Sequence, residues 1–345
     1  MENSRNRERP VTATDVAKLA GVSQATVSRV FQKDCQIRIN PESRKKVLKA
    51  AEQLGYIPNA IAQIMTSGRS GIVGIVVSSY FNLFYYQVLQ VLTNELATKG
   101  LRTMLFTSDP EEDINQLLCH LYQYQVDGVI VTSSAMSHHI TSAWTKKGLP
   151  VVLLNGYLPE LKISAVQSDQ VGSGQLMAEY FLRTGHQRFA YVSSVNSPHE
   201  NYIPRQKGYV DCLEAHGVRD IQIIPAGYSY ESGLEAGRQL LRSDRVPDAI
   251  FCSGDLNALG VIDAIREQSA LKLGEDVSVT GYDAPIFPQL TAYPLTALTQ
   301  QVDLLCRDCV ELLSDLMQNP DAPTRLITRP MHLTIRGSSR TDIQK

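Results

Sequence analysis

The stretch VTATDVAKLAGVSQATVSRVF, Val11 to Phe31, decides the N-terminal fold. Thr12 or Thr14 is placed to cap a first helix whose inward residues are Val16, Ala17, Leu19 and Ala20. Gly21-Val22-Ser23 then interrupts the pattern. Gly21 can take the left-handed conformation of a tight turn, Val22 can plug the core and Ser23 can cap the next helix. In that second helix Val27, Val30 and Phe31 fall on one side at 3.6-residue spacing. Ala25, Thr26, Ser28 and Arg29 fall on the other, with Gln24 at the exposed N-terminal end. A small, polar and basic front is what entry into a DNA major groove requires, since Gln and Arg bond base edges and a helix N-terminus attracts phosphate. A plain amphipathic helical hairpin has the same periodicity, so spacing alone leaves both readings open.

Downstream, Asn40-Pro41-Glu42-Ser43 reads as the cap and start of a third helix running to Leu54. Its Arg44, Lys45 and Lys46 suit DNA-backbone or solvent contact better than base reading. Gly55-Tyr56-Ile57-Pro58 ends that helix, and Asn59 to Met65 could form two short turns. A helix that short is marginal alone and would gain stability against a copy of itself, Ala62 being small enough for close approach. Thr66 to Gly71 is a polar, glycine-containing linker.

Charge follows the same division. Residues 1–70 hold twelve Lys and Arg against six Asp and Glu, whereas the other 275 hold 21 against 29, although the whole chain carries only −2. A small basic module on an acidic body points to phosphate contact at one end.

Two blocks, TxxDVAxxAGVSxxTVSRV and NPESRKKVLKAAEQLGYIPNAIA, closely resemble the DNA-binding region of the LacI/GalR repressor family in order and spacing, and a looser likeness extends over nearly the whole chain. The resemblance implies that Gln24, Ala25 and Arg29 occupy base-reading positions, with Thr12, Ser23, Thr26 and Ser28 around them. Ala25 could offer only apolar contact, for instance to a thymine methyl, so discrimination would rest on Gln24 and Arg29. The resemblance further implies a hinge in which Asn59 and Ala62 lie at the DNA and Met65 wedges into the minor groove where relatives usually carry Leu.

From Ile72 onward short apolar strands alternate with helical stretches: GIVGIVV, LRTMLFT, DGVIVT, LPVVLLN, RFAYVSS, PDAIFCS and VSVTGYD among them, with a helix over 111–124. That rhythm implies parallel sheets covered on both faces, and about ten strands exceed one sheet of this kind. The expected fold class is therefore α/β: an N-terminal three-helix helix-turn-helix domain plus two doubly wound parallel-sheet subdomains. The expected boundaries are a DNA-binding domain at 1–57, a hinge and linker at 58–70, and a two-lobed body at 71–340. The resemblance makes that body periplasmic-binding-protein-like, crossed near 165, 293 and 325, with an effector held between the lobes. Its effector positions fall on Phe84 and Tyr85 as stacking rings, and on Asn155, Arg205, Asp255 and Asp283. Gly254 stands before Asp255 where sugar-responsive relatives commonly carry Asn, which removes a hydrogen-bonding side chain and shifts or enlarges the pocket.

Other chemistries find little support. Gly172-Ser173-Gly174 is an incomplete dinucleotide fingerprint with Met177 in the third place, and no P-loop occurs. Cys306-x-x-Cys309 is a lone pair inside a helical pattern, without the further ligands zinc needs. His138-His139 lacks a metal-spaced partner. Neither enzymatic activity, a cofactor nor a metal is expected. A sugar-delivering transport protein would share the body but not the DNA reader. The charged Met1–Pro10 is no signal peptide and no run of 18 apolar residues occurs, so a cytoplasmic location is expected. The expected partners are pseudo-palindromic double-stranded DNA, a small effector of carbohydrate type and a second copy of the chain. The tail from Gly337 carries no heptad, which favours a dimer.

Overall fold

The computed structural model describes residues 11–31, 39–57, 69–78, 83–108, 114–132, 148–156, 162–194, 202–283 and 291–341. The chain forms two compact units, Met1–Gly71 and Ile72–Lys345.

In the first unit three helices, α1 (Ala13–Ala20), α2 (Gln24–Phe31) and α3 (Pro41–Leu54), enclose one small core. Thr12 caps α1 in a full capping box with Asp15, and Gly21 ends it at φ +65°. Ser23 Oγ accepts from Thr26 N at 3.2 Å and so starts α2. Asn40 caps α3 and Gly55 closes it in the left-handed region. Val16, Val27 and Val47, one from each helix, are fully buried. Each such side chain contributes about 1.5–3 kcal/mol. Phe31 and Tyr56 close the core edge to face at 5.6 Å. Leu19 departs from expectation: it is 52% exposed. On a helix of eight residues the inward stripe is narrow, and Val16, Ala17 and Ala20 already fill it.

The second unit holds two six-stranded sheets. The first contains β1 (Ile72–Ser78), β2 (Arg102–Ser108), β3 (Gly128–Thr132), β4 (Val151–Leu154), β5 (Ser164–Ser168) and β11 (Leu326–Arg329), in the order β11-β5-β4-β3-β1-β2. The second contains β6 (Phe189–Ser194), β7 (Ile221–Ala226), β8 (Ala249–Cys252), β9 (Ser278–Tyr282), β10 (Thr296–Thr299) and β12 (His332–Thr334), in the order β12-β10-β9-β8-β6-β7. Every pairing is parallel except β10 with β12. The central strands β3, β4, β8 and β9 are buried along their whole length, which is why β4 and β8 read as unbroken apolar runs, while β9 buries Ser278 and Thr280 as well. The apolar runs and the crossings expected near 165, 293 and 325 account for all of these strands but β7 and the three-residue β12.

Helices α4 (Leu83–Thr98), α5 (Ile114–Gln123) and α10 (Val302–Gln318) pack on the first sheet. Helices α6 (Gln170–Arg183), α7 (Tyr202–Ala215), α8 (Tyr230–Leu241) and α9 (Asp255–Gln268) pack on the second. The chain therefore passes between lobes after β5, between β10 and α10, and between β11 and β12. Cys306 and Cys309 lie fully buried in the core of the first lobe, where burial pushes both thiols up. The Gly172-Ser173-Gly174 pattern has a packing cause: a Cβ on Gly174 would stand 2.1 Å from the Arg205 carbonyl oxygen. Glycine there lets α6 and α7 touch backbone to backbone.

Candidate functional site

On the first unit, α2 buries Val27 and Val30 and leaves Gln24, Ala25, Ser28 and Arg29 exposed. Gln24, Ser28 and Arg29 make this exposed face polar and basic, and Ala25 keeps it small. Thr26 is half-buried, and its hydroxyl lies 2.9 Å from that of Ser23. Thr12 is tied up further: its hydroxyl donates to Asp15 Oδ2 at 2.6 Å and accepts from Asp15 N. Its proton is thus engaged in capping, and phosphate contact would have to compete with it. Arg44, Lys45 and Lys46 are exposed on α3. Asn59, Ala62 and Met65 lie outside the described residues, as does His138-His139.

In the second unit, polar side chains gather where the parallel strands of both sheets end, the edge at which such sheets hold ligands. Asn155 follows β4 in the left-handed region at φ +60°, and Asp283 follows β9 at φ +79°. A short chain of hydrogen bonds joins them. Asn155 Nδ2 donates to Gln300 Oε1 at 2.6 Å, and Gln300 Nε2 donates to Asp283 Oδ1 at 2.6 Å. Ser168 at the end of β5 donates its hydroxyl to the same Gln300 oxygen at 2.6 Å, and its N–H to Asn155 Oδ1. Asn155 and Ser168 belong to the first lobe, Asp283 and Gln300 to the second, so the network sews the lobes together across the cleft.

Arg205, only 2% exposed, sits beside it in the first turns of α7. Its guanidinium lies 3.0 Å from the centre of the Tyr282 ring, and Nη1 donates to the Ser253 carbonyl at 2.7 Å. Its Nε and Nη2 both donate to Gln170 Oε1, which also receives the Tyr282 hydroxyl at 2.9 Å. Burial pushes the Asp283 carboxyl up to about 6, against the opposing influence of Arg205 and the Gln300 bond. Asp255 opens α9 at the same rim, half-buried.

Phe84 and Tyr85 are 4% and 8% exposed and pack in the core of the first lobe, edge to face at 5.1 Å, buried to the same degree as Asn155 and Arg205. Tyr228, 39% exposed in the loop after β7, offers an aromatic surface at the rim that the sequence reading missed. Gln170, Gln300 and Tyr282 were missed as well.

Residues 12–59 match the family described as bacterial regulatory proteins, lacI family, and residues 178–339 match a periplasmic binding protein-like domain. Catabolite control protein A of Priestia megaterium is 30% identical over 333 residues, covering 96% of this chain and 99% of that protein. The chain belongs to the LacI family. A second LacI-family relative, the HTH-type transcriptional regulator CelR of Thermobifida fusca, is 31% identical over 344 residues, covering 96% and 99%. Among solved structures, the Lac repressor dimer bound to operator and the anti-inducer ONPF superposes with a TM-score of 0.86 at 26% identity, covering 96% of this chain and all of that one. A CelR–cellobiose complex gives 0.71 at 28%, covering 96% and 100%. This LacI-family chain is a DNA-binding transcription regulator, not an enzyme. Among the described residues no helix is long and apolar enough to cross a membrane.

Proposed function

We propose that the protein is a cytoplasmic homodimeric repressor whose hold on a pseudo-palindromic operator is set by a small carbohydrate bound between the two lobes. The observation that carries this reading is the Asn155–Gln300–Asp283 chain, with Arg205 beside it, at the meeting edge of both sheets. Neutral amides, a carboxyl and a guanidinium together donate and accept, which suits a molecule dense in hydroxyls. Such a ligand inserts among bonds that now run from lobe to lobe, and so biases the lobes between two relative positions. The CelR–cellobiose complex supports a sugar over other small molecules.

At the other end, Gln24 and Arg29 read base edges, Ala25 contacts a methyl group, and Ser23, Thr26 and Ser28 line the approach. One such helix supplies too few base contacts for an operator, hence the two-fold pairing. Asn59, Ala62 and Met65 complete the DNA contact on the strength of sequence alone. By linkage, operator and sugar alter each other's affinity by one and the same factor.

Thermal-shift screening of the full chain against sugars, sugar phosphates, polyols and nucleosides tests the effector half. A sugar at a hundred times its Kd should stabilise the body by about 2.7 kcal/mol. The shift should vanish in Arg205→Ala. A sugar shift that survives Arg205→Ala, or a shift by nucleosides only, contradicts the reading.

A further inference from the structure

At the far end of the second lobe, the starts of β6 and β7 and the loop before β8 enclose a recess of about 270 Å³. Parallel pairing brings these strand starts side by side, Phe189 with Ile221 and with Ala249. The cleft between the lobes lies at the opposite ends of the same strands, about 17 Å away along β6. Arg188, Arg219 and Arg245 line the recess, and Asp220 is the one carboxylate among its described lining residues. The sign of charge is locally reversed there, because residues 71–345 as a whole hold 21 Lys and Arg against 29 Asp and Glu.

The three guanidinium groups are free to different degrees. Arg219 is exposed and makes no hydrogen bond or ion pair among the described residues. Arg188 is anchored by its Nε, which donates to the Val246 carbonyl at 2.6 Å, while its Nη2 stays 3.7 Å from Asp248 Oδ2, beyond hydrogen-bond reach. Asp248 accepts instead from the backbone N–H groups of Gln187 and Arg188. Arg245 Nη1 donates to Asp220 Oδ2 at 2.7 Å, but the two side chains are 65% and 64% exposed. An exposed pair of this kind contributes little, so Asp220 holds Arg245 only weakly. Gln222 Nε2 donates to the Arg245 carbonyl at 2.7 Å and fixes the loop that carries it.

Guanidinium forks bond two oxygens at a time, and three of them offer more donors than one carboxylate can accept. A phosphoryl group has three free oxygens and close to two negative charges at neutral pH, so it can meet all three. The recess admits that group with a few atoms attached, and is smaller than the pockets that hold drug-sized ligands.

We infer that this recess is a second ligand site, taking inorganic phosphate or the phosphoryl end of a small phosphate monoester, with Arg188 and Arg219 as its principal donors. It does not depend on the carbohydrate reading of the cleft.

The test is calorimetric titration of the full chain at low ionic strength with inorganic phosphate, glycerol 3-phosphate and glycerol. The two phosphates should bind saturably at millimolar concentration and glycerol should not. Tighter binding of glycerol 3-phosphate marks a monoester as the occupant, and tighter binding of phosphate marks the free ion; either result supports the site. Arg188→Gln and Arg219→Gln should each weaken binding roughly tenfold, the value of a hydrogen bond to a charged group. Asp220→Asn should tighten it roughly threefold, because it releases Arg245 and removes a repelling charge. Arg219 has no partner in the fold to lose, so its variant should keep the wild-type melting temperature. Arg242, exposed and paired with Glu235, is not among the lining residues, and Arg242→Gln should leave binding unchanged. No saturable phosphate binding, or affinity that survives both Arg188→Gln and Arg219→Gln, overturns the site. Equal losses in Arg219→Gln and Arg242→Gln would show diffuse attraction to surface charge and overturn it too.

Discussion

Gln300 Nε2 donates to Asp283 Oδ1 at 2.6 Å, and the other end of the same amide accepts from Asn155 and Ser168 of the opposite lobe. One side chain thus couples a carboxyl raised to about 6 to the partner sheet. A carboxyl whose folded pKa exceeds its unfolded value of about 3.9 binds its proton more tightly in the native state. Its contribution to stability therefore falls as pH rises from about 4 to about 6, and is level above that. Urea unfolding of wild type and Asp283→Asn across this range measures it, and Asn tolerates the left-handed backbone at that position. Wild-type stability should decline relative to the variant as pH climbs through the window. A constant difference would show that Asp283 is ionised as easily as a solvent-exposed carboxyl.

Gln170 holds Arg205 and Tyr282 through one oxygen that accepts three donors. Gln170→Leu leaves those donors without it at a cost of about 1–3 kcal/mol for a buried group. Melting temperature should fall, and affinity for the stabilising sugar should fall further because the guanidinium is no longer aimed. Gln170→Glu keeps the acceptor and should restore sugar affinity. Equal affinities for the Leu and Glu variants would remove Gln170 from the account.

Helix α1 depends on its two ends. Gly21 has φ +65° with open space around it, so Gly21→Ala costs conformational strain of about 1 kcal/mol and no clash. Thr12→Ala loses the capping box, again about 1 kcal/mol. Hydrogen exchange over residues 13–20 should quicken roughly fivefold in either variant. Unchanged exchange in both would mean that packing alone holds this helix.

Thiol chemistry offers a simple check. Burial pushes up all four of these thiols, but Cys252, Cys306 and Cys309 are fully buried whereas Cys212 is half-buried. A thiol reagent applied to the native protein should label Cys212 well before these three, by mass mapping. Rapid labelling of Cys306 or Cys309 would mean that the pair is available for redox chemistry after all.

The sequence made the DNA reader legible because capping and turn chemistry act over three or four residues. Thr12 with Asp15, Gly21, Ser23 and the Asn40-Pro41 start all stand where local rules put them. Most strands of the body were readable as short apolar runs, whereas their order within the two sheets was not. The cleft was harder. Gln170 meets Tyr282 across 112 residues and Gln300 meets Ser168 across 132, and no spacing rule marks such pairs. Phe84 and Tyr85, which the resemblance offers as stacking rings, are buried in the core of the first lobe, and no spacing rule tells a core ring from a cleft-lining one.

The central claim is that α2 reads bases under control of the cleft. The most direct measurement is electrophoretic retardation of the full chain on duplexes it selects from a random pool, repeated with Arg29→Ala and with the stabilising sugar. The selected duplexes should be pseudo-palindromic. Arg29→Ala should weaken that specific complex by about 1–3 kcal/mol while binding to unrelated DNA changes little. The sugar should shift specific affinity as well. Equal loss on specific and unrelated DNA, or no sequence preference at all, would contradict the account.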